Sequence, residues 1–143
     1  MEFSDFKQIL DHWSSQRPPS ALDCWIDDAN ARLARTDNGI TCSIELLDPY
    51  DSQDPQRLES LLSQGGASLA CGCYGALAID PQTRCCVLMC WLPSSCSVDD
   101  LLDRLESLAN QRAAMLNLMH ATLGSPVPLS TGHSTLNHWQ PGV

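Results

Sequence analysis

At 143 residues, with 17 acidic side chains against 8 basic ones and a formal net charge of −9, the chain is long enough to bury about 68–70% of its unfolded surface in one core. The negative balance, with no Lys/Arg cluster to offset it, opposes a phosphate backbone or an anionic bilayer, so neither nucleic acid nor membrane is an expected partner. The opening MEFSDFKQIL lacks the basic and apolar regions of a secretory signal, and the longest apolar run, Cys85 to Leu92, is too short to span a bilayer, so a cytoplasmic protein is expected.

Phe3, Phe6, Leu10 and Trp13 recur at spacings of three and four, with Ile9 beside them, and predict a first helix that Arg17-Pro18-Pro19 ends. Between Ala21 and Ala34 apolar and polar residues alternate in two short runs, read as two strands. Asp37-Asn38-Gly39 is a turn signal in which Asn and Gly are expected to supply positive φ. ITCSIELL follows as a half-buried strand, with Ile40, Cys42, Ile44 and Leu46 on one face. Asp54 is placed to cap, and Pro55 to open, a short helix carrying Leu58, Leu61 and Leu62, with Gly65-Gly66 as its stop. Ser97 and Asp100 form a capping box ahead of a long helix. The buried stripe of that helix runs through Val98, Leu101, Leu102, Leu105, Leu108, Met115, Leu116 and Met119, interrupted by Arg112. From Gly124 onward the Pro/Ser/Thr/Gly-rich segment has no periodicity, so 1–123 is read as one α+β domain and 124–143 as a flexible tail.

Between the short and long helices lies a stretch with five of the eight cysteines, Cys71, Cys73, Cys85, Cys86 and Cys90. Reading Asp80-Pro81-Gln82-Thr83 as a four-residue hairpin connection sets Ile79 opposite Arg84, Leu77 opposite Cys86, Gly75 opposite Leu88 and Cys73 opposite Cys90. Cys71, Cys73, Cys86 and Cys90 then share one face with Leu77, Ile79, Leu88 and Leu92. Cys85 shares the other with Tyr74, Val87, Met89 and Trp91. Flat strands without C-x-x-C spacing are poor zinc ligands, and the only charge near these thiols in sequence is Arg84. Packing is the favoured role for these five, and Cys96, ahead of the long helix, is the better thiolate candidate. Two helices cover only one sheet face. An uncovered face carrying Val87, Met89 and Trp91 forgoes about 1.5–3 kcal/mol per large side chain, and a patch of that kind marks an interface.

No phosphate-binding glycine loop, nucleophile elbow or HExxH occurs, and His12, His120, His133 and His138 are read as helix-surface or tail residues. No catalytic residue, metal or cofactor is assigned. Trp25 stands out as an apolar ring between Asp23 and Asp27 on the polar side of its strand.

The segments RLESLLSQGG, CYGALAIDPQTRCCVLMCWLP and VDDLLDRLESLANQRAAML, in this order behind a helix and three strands, resemble the class I type III secretion chaperone family, the group that includes the Tir chaperone. The resemblance covers about Phe3 to Leu123. It implies an α+β homodimer of helix, three antiparallel strands, short helix, β-hairpin and long C-terminal helix. Such a dimer binds the N-terminal segment of a secreted effector and keeps it soluble and export-competent. It further implies dimer contacts through Leu58, Leu61, Leu62, Val87, Met89 and Trp91. Effector contacts are implied at Phe6, Leu10, Trp13, Trp25, Leu33 and Ile44, together with strand addition at a sheet edge. The competing readings are a small cysteine-rich redox or metal-binding protein and a structural dimer subunit without a client.

Overall fold

The computed structural model describes residues 3–64 and 75–124. The apolar spacing of the first segment closes into helix α1 (Phe3–Ser15), and the alternating runs become β1 (Leu22–Ile26), β2 (Ala29–Thr36) and β3 (Gly39–Leu47). A single 3-10 turn (Asp51–Gln53) leads into α2 (Pro55–Leu62), followed by β4 (Ala76–Ile79), β5 (Cys86–Leu92) and α3 (Val98–Leu123). The five strands form one antiparallel sheet in the order β1-β2-β3-β5-β4, so β3 is central and β1 and β4 are the edges. The fold class and element order are those expected from the sequence.

The caps form as their chemistry dictates. The Asp54 carboxylate accepts from Gln56 N at 3.0 Å with Pro55 in the first turn. Ser97 and Asp100 make the reciprocal capping box, Asp100 N donating to Ser97 Oγ at 3.1 Å and Ser97 N to Asp100 Oδ2 at 2.8 Å. The glycine stop at Gly65-Gly66, Cys71, Cys73, Tyr74 and the tail from 125 on lie outside the described residues.

α3 lies across β3 and β5, with α1 and α2 packed against it. The covered face of the sheet supplies Ala31, Leu33, Cys42, Ile44, Cys86 and Leu88. α3 answers with Leu101, Leu105, Leu108, Met115 and Met119, and α1 with Leu10 and Trp13. Each fully buried Leu or Ile contributes about 1.5–3 kcal/mol relative to exposure. Ala29 and Ala31 carry the smallest side chains on this face of β2.

Two local expectations are corrected. In the β2–β3 hairpin Thr36 pairs with Gly39 around Asp37 and Asn38, and only Gly39 has positive φ, at 155°. Among the described residues the non-glycine positions with positive φ are Asp27, at 55° in the β1–β2 turn, and Arg84, at 66°. In the β4–β5 hairpin the pairs are Ile79 with Cys86, Ala78 with Val87, Leu77 with Leu88 and Ala76 with Met89. The connection is therefore displaced by one residue, to 81–84. Asp80 N donates to Cys85 O at 2.9 Å and Arg84 N to Asp80 O at 2.8 Å, closing the turn with Arg84 in the left-handed region. A slip of two in the index sum keeps every side chain on its expected face.

Candidate binding surfaces

Two surfaces formed by the described residues bear on binding. The first lies beside edge strand β4, where α2 and the hairpin enclose an apolar cleft of 330 Å³ lined by Leu58, Leu61, Leu62, Leu77, Ala78, Ile79 and Cys86. Leu61 forms its floor and belongs to the core. Leu62 and Ile79 stand at the rim, 66% and 46% exposed. Among the described strands β4 pairs only with β5, so its outer backbone groups face away from the sheet. An apolar cleft beside an open strand edge suits a second apolar surface, and it offers hydrogen bonds to an added strand.

The second surface is the uncovered face of the sheet. On β1 to β3 it is polar, with Asp23, Asn30, Arg32, Ser43 and Glu45 around Trp25, which is 71% exposed. Arg32 bridges to Asp23 at 3.3 Å. The Cys85 thiol donates to Glu45 Oε1 at 3.0 Å, and burial followed by that hydrogen bond pushes its pKa up. On β5 the same face turns apolar. Val87 is 8% exposed, Met89 half-buried and Trp91 54% exposed. Val87 is therefore shielded within the sheet, and only Met89 and Trp91 of the expected exposed trio offer surface. Trp91 lies on Gly39: a Cβ there would sit 2.6 Å from its Cε2 and Nε1. Of the expected effector contacts, Trp25 is open and Phe6 is half-buried. Leu10, Trp13, Leu33 and Ile44 are core residues at 0–3% exposure, because Leu33 and Ile44 lie on the sheet face that the helices cover and Leu10 and Trp13 lie on the side of α1 packed into that core. Trp13 is fixed there by donating from Nε1 to Ser20 O at 2.6 Å, with the Arg35 guanidinium 5.1 Å above its ring.

Cysteine chemistry follows the fold rather than the local sequence. Cys96 is not the favoured thiolate: burial and then the Asp100 charge raise its pKa. Cys90 is shifted down, by the hydrogen bond from Cys42 and by the Arg104 charge, against burial. Arg104 arrives from α3, so no sequence neighbourhood of the hairpin reveals it. Gln111 is a buried polar residue that pattern reading passed over. It is 5% exposed within the apolar stripe of α3, at three residues from Leu108 and four from Met115. That helical spacing placed it on the buried face.

No helix among the described residues is long and apolar enough to cross a membrane. No family model and no curated protein matches the chain. Solved structures do. One chain of the ExsC–ExsE complex superposes with a TM-score of 0.58 at 11% identity, over 83% of this chain and 97% of its own. A chain of the heterodimeric ExoU–SpcU complex from the type III secretion system of Pseudomonas aeruginosa gives 0.53 at 19% identity, over 78% and 95%. A chain of the HopA1–SchA chaperone–effector complex gives 0.55 at 17% identity, over 82% and 98%. This protein therefore shares its α+β fold with chains of a type III secretion complex and of a chaperone–effector complex.

Proposed function

We propose that this protein is a type III secretion chaperone: a cytoplasmic, non-enzymatic binding module that holds the N-terminal segment of a secreted effector in an export-competent state. The observation that carries this reading is the fold shared, over 95–98% of their length, with chains of the ExsC–ExsE complex, of a type III secretion complex and of a chaperone–effector complex. The surfaces support it. A homodimer through the α2–β4 side covers Leu58, Leu62 and Ile79, with Leu61 as the floor beneath. Val87, Met89 and Trp91 lie on the sheet face beside that seam. The effector segment meets Trp25 and Phe6 directly. Leu10, Trp13, Leu33 and Ile44 act beneath the surface, shaping the wall on which α1 and the early strands rest. The net charge of −9 favours basic effector segments and keeps the free protein soluble.

The test is co-expression with the product of the neighbouring reading frame, since chaperones of this kind are encoded beside their clients. Stable co-purification of an N-terminal fragment of that product with a dimer of this chain is the expected result. A folded monomer that binds no adjacent product overturns the reading.

A further inference from the structure

Cys42 and Cys90 face each other across the middle of the sheet. They are Cα partners in the β3–β5 ladder, and the Cys42 thiol hydrogen-bonds to the Cys90 sulfur. Directly opposed residues in an antiparallel pair hold their Cβ atoms about 4.5–5.5 Å apart, whereas a disulfide takes about 3.5–4.5 Å. For a directly opposed pair, those ranges differ by about an ångström. No other two described cysteines are opposed in this way. Cys86 faces Leu47 and Ile79, Cys24 faces Ala31, and Cys85 lies on the other face of the sheet.

The two thiols differ in access. Cys42 is fully buried and Cys90 half-buried. Arg104 lies within electrostatic reach of both, and Cys96 within reach of Cys42. The hydrogen bond and the guanidinium favour the thiolate on Cys90, while its hydrogen-bonded position beside Cys90 keeps the proton on Cys42. A half-buried sulfur opposite a fully buried one divides the work of disulfide formation between an attacking and a resolving residue.

We propose that Cys42 and Cys90 form a peroxide-responsive pair that closes into a cross-strand disulfide within the native fold. The Cys90 thiolate attacks one oxygen of hydrogen peroxide, the O–O bond breaks, and the departing hydroxide takes up a proton as water, leaving a sulfenic acid. The Cys42 sulfur then attacks Cys90 Sγ. The S–O bond breaks, and the hydroxyl leaves with the Cys42 proton as a second water. Two thiols lose two electrons, and one peroxide becomes two waters. The product staples the central strand to β5, the strand that carries Met89 and Trp91 and alone ties edge strand β4 to the sheet. This inference is independent of the client and is tested without one.

The reduced full-length chain is exposed to hydrogen peroxide, alkylated, digested and mapped by mass spectrometry. A Cys42–Cys90 cross-linked peptide is expected as the leading product, with loss of two hydrogens from the intact chain. The thermal midpoint should rise by about 10 °C and return on reduction. Cys90→Ser and Cys42→Ala each abolish the cross-link and the shift, with folding checked by circular dichroism. Should Cys42→Ala not fold, the wild-type map and Cys90→Ser decide alone. Cross-links dominated by other cysteines, sulfinic acid on Cys90 with Cys42 left as a thiol, or a product with an unchanged or lower midpoint overturns the proposal.

Discussion

The side-chain amide of Gln111 pairs with both backbone groups of Gly75, accepting from Gly75 N at 2.9 Å and donating to Gly75 O at 3.1 Å. α3 thereby completes the backbone hydrogen bonding at the entry to β4, in place of a neighbouring strand. A Cβ on Gly75 would stand 2.8 Å from both Gln111 Oε1 and Leu108 Cδ2, so the close approach also requires a glycine.

Gln111→Leu leaves a half-buried N–H and C=O without partners and should cost about 1 kcal/mol in urea unfolding. Gly75→Ala keeps the amide but forces it and Leu108 aside, at about 1–3 kcal/mol. In both variants hydrogen exchange should quicken in β4 before it quickens in β2 or β3. Uniform exchange across the sheet would show that the pair does not act at β4.

A second close approach joins Gly39 to the β5 edge of the open face. A Cβ at Gly39 would collide with the Leu92 carbonyl oxygen as well as with the Trp91 ring, and the φ of 155° disfavours any side chain. The exposed indole has room to swing away, whereas the backbone oxygen has none. Gly39→Ala should therefore destabilise by about 1–3 kcal/mol and shift the tryptophan emission. In Trp91→Leu the emission change should vanish while the loss of stability remains.

Much of this architecture was legible because a period of two is robust. The β4–β5 register was misplaced by two residues, since the sequence does not reveal that Asp80 would donate to Cys85 O and push Arg84 into the left-handed region. An even slip still assigned Cys86 and Cys90 to one face and Cys85 to the other. Long-range polar relationships were hidden. Arg112 interrupts the stripe of α3 because its Nε donates to Glu45 O at 2.7 Å and its guanidinium pairs with Asp28 at 3.1 Å, contacts that only the folded topology brings together. Binding residues carried over by resemblance lie at different depths. Trp25 is open, but Leu10, Leu33 and Ile44 face α3 or its neighbours, because alternation tells one face from the other without telling which face a helix covers.

Acid should weaken the fold through two identifiable carboxylates. Asp80 is held below its ordinary pKa of 3.8 mainly by the Gln82 N–H, with Thr83 assisting, and Asp100 by the Ser97 N–H and hydroxyl. A pKa lower in the folded than in the unfolded chain gives stability that is fully present above 3.8 and is lost as pH falls through the folded values. Urea midpoints should hold steady from neutrality to about pH 5 and then decline. Asp80→Asn and Asp100→Asn should each lower the neutral midpoint and make the acid decline shallower. An acid limb parallel to wild type in both variants would remove these two groups as its source. Ser97→Ala should cost about 1 kcal/mol at neutral pH by opening the capping box from the other side.

The two proposed binding surfaces separate by mutation because their rim residues contribute little to the fold. Trp25 is 71% exposed and Leu62 66% exposed, so Trp25→Ala and Leu62→Asp should each change monomer stability by no more than about 0.5 kcal/mol. Leu62→Asp places a charge in the apolar cleft beside β4, and desolvating it there opposes self-association. Light scattering at micromolar concentration should report a folded monomer. Trp25→Ala should leave the dimer intact. It should weaken capture of the effector segment by about 10-fold or more, as removal of a tryptophan anchor does at an interface. A dimer that persists in Leu62→Asp moves the self-association surface to Met89 and Trp91 on the open face. Undiminished capture by Trp25→Ala would place the effector elsewhere than on the polar half of the sheet.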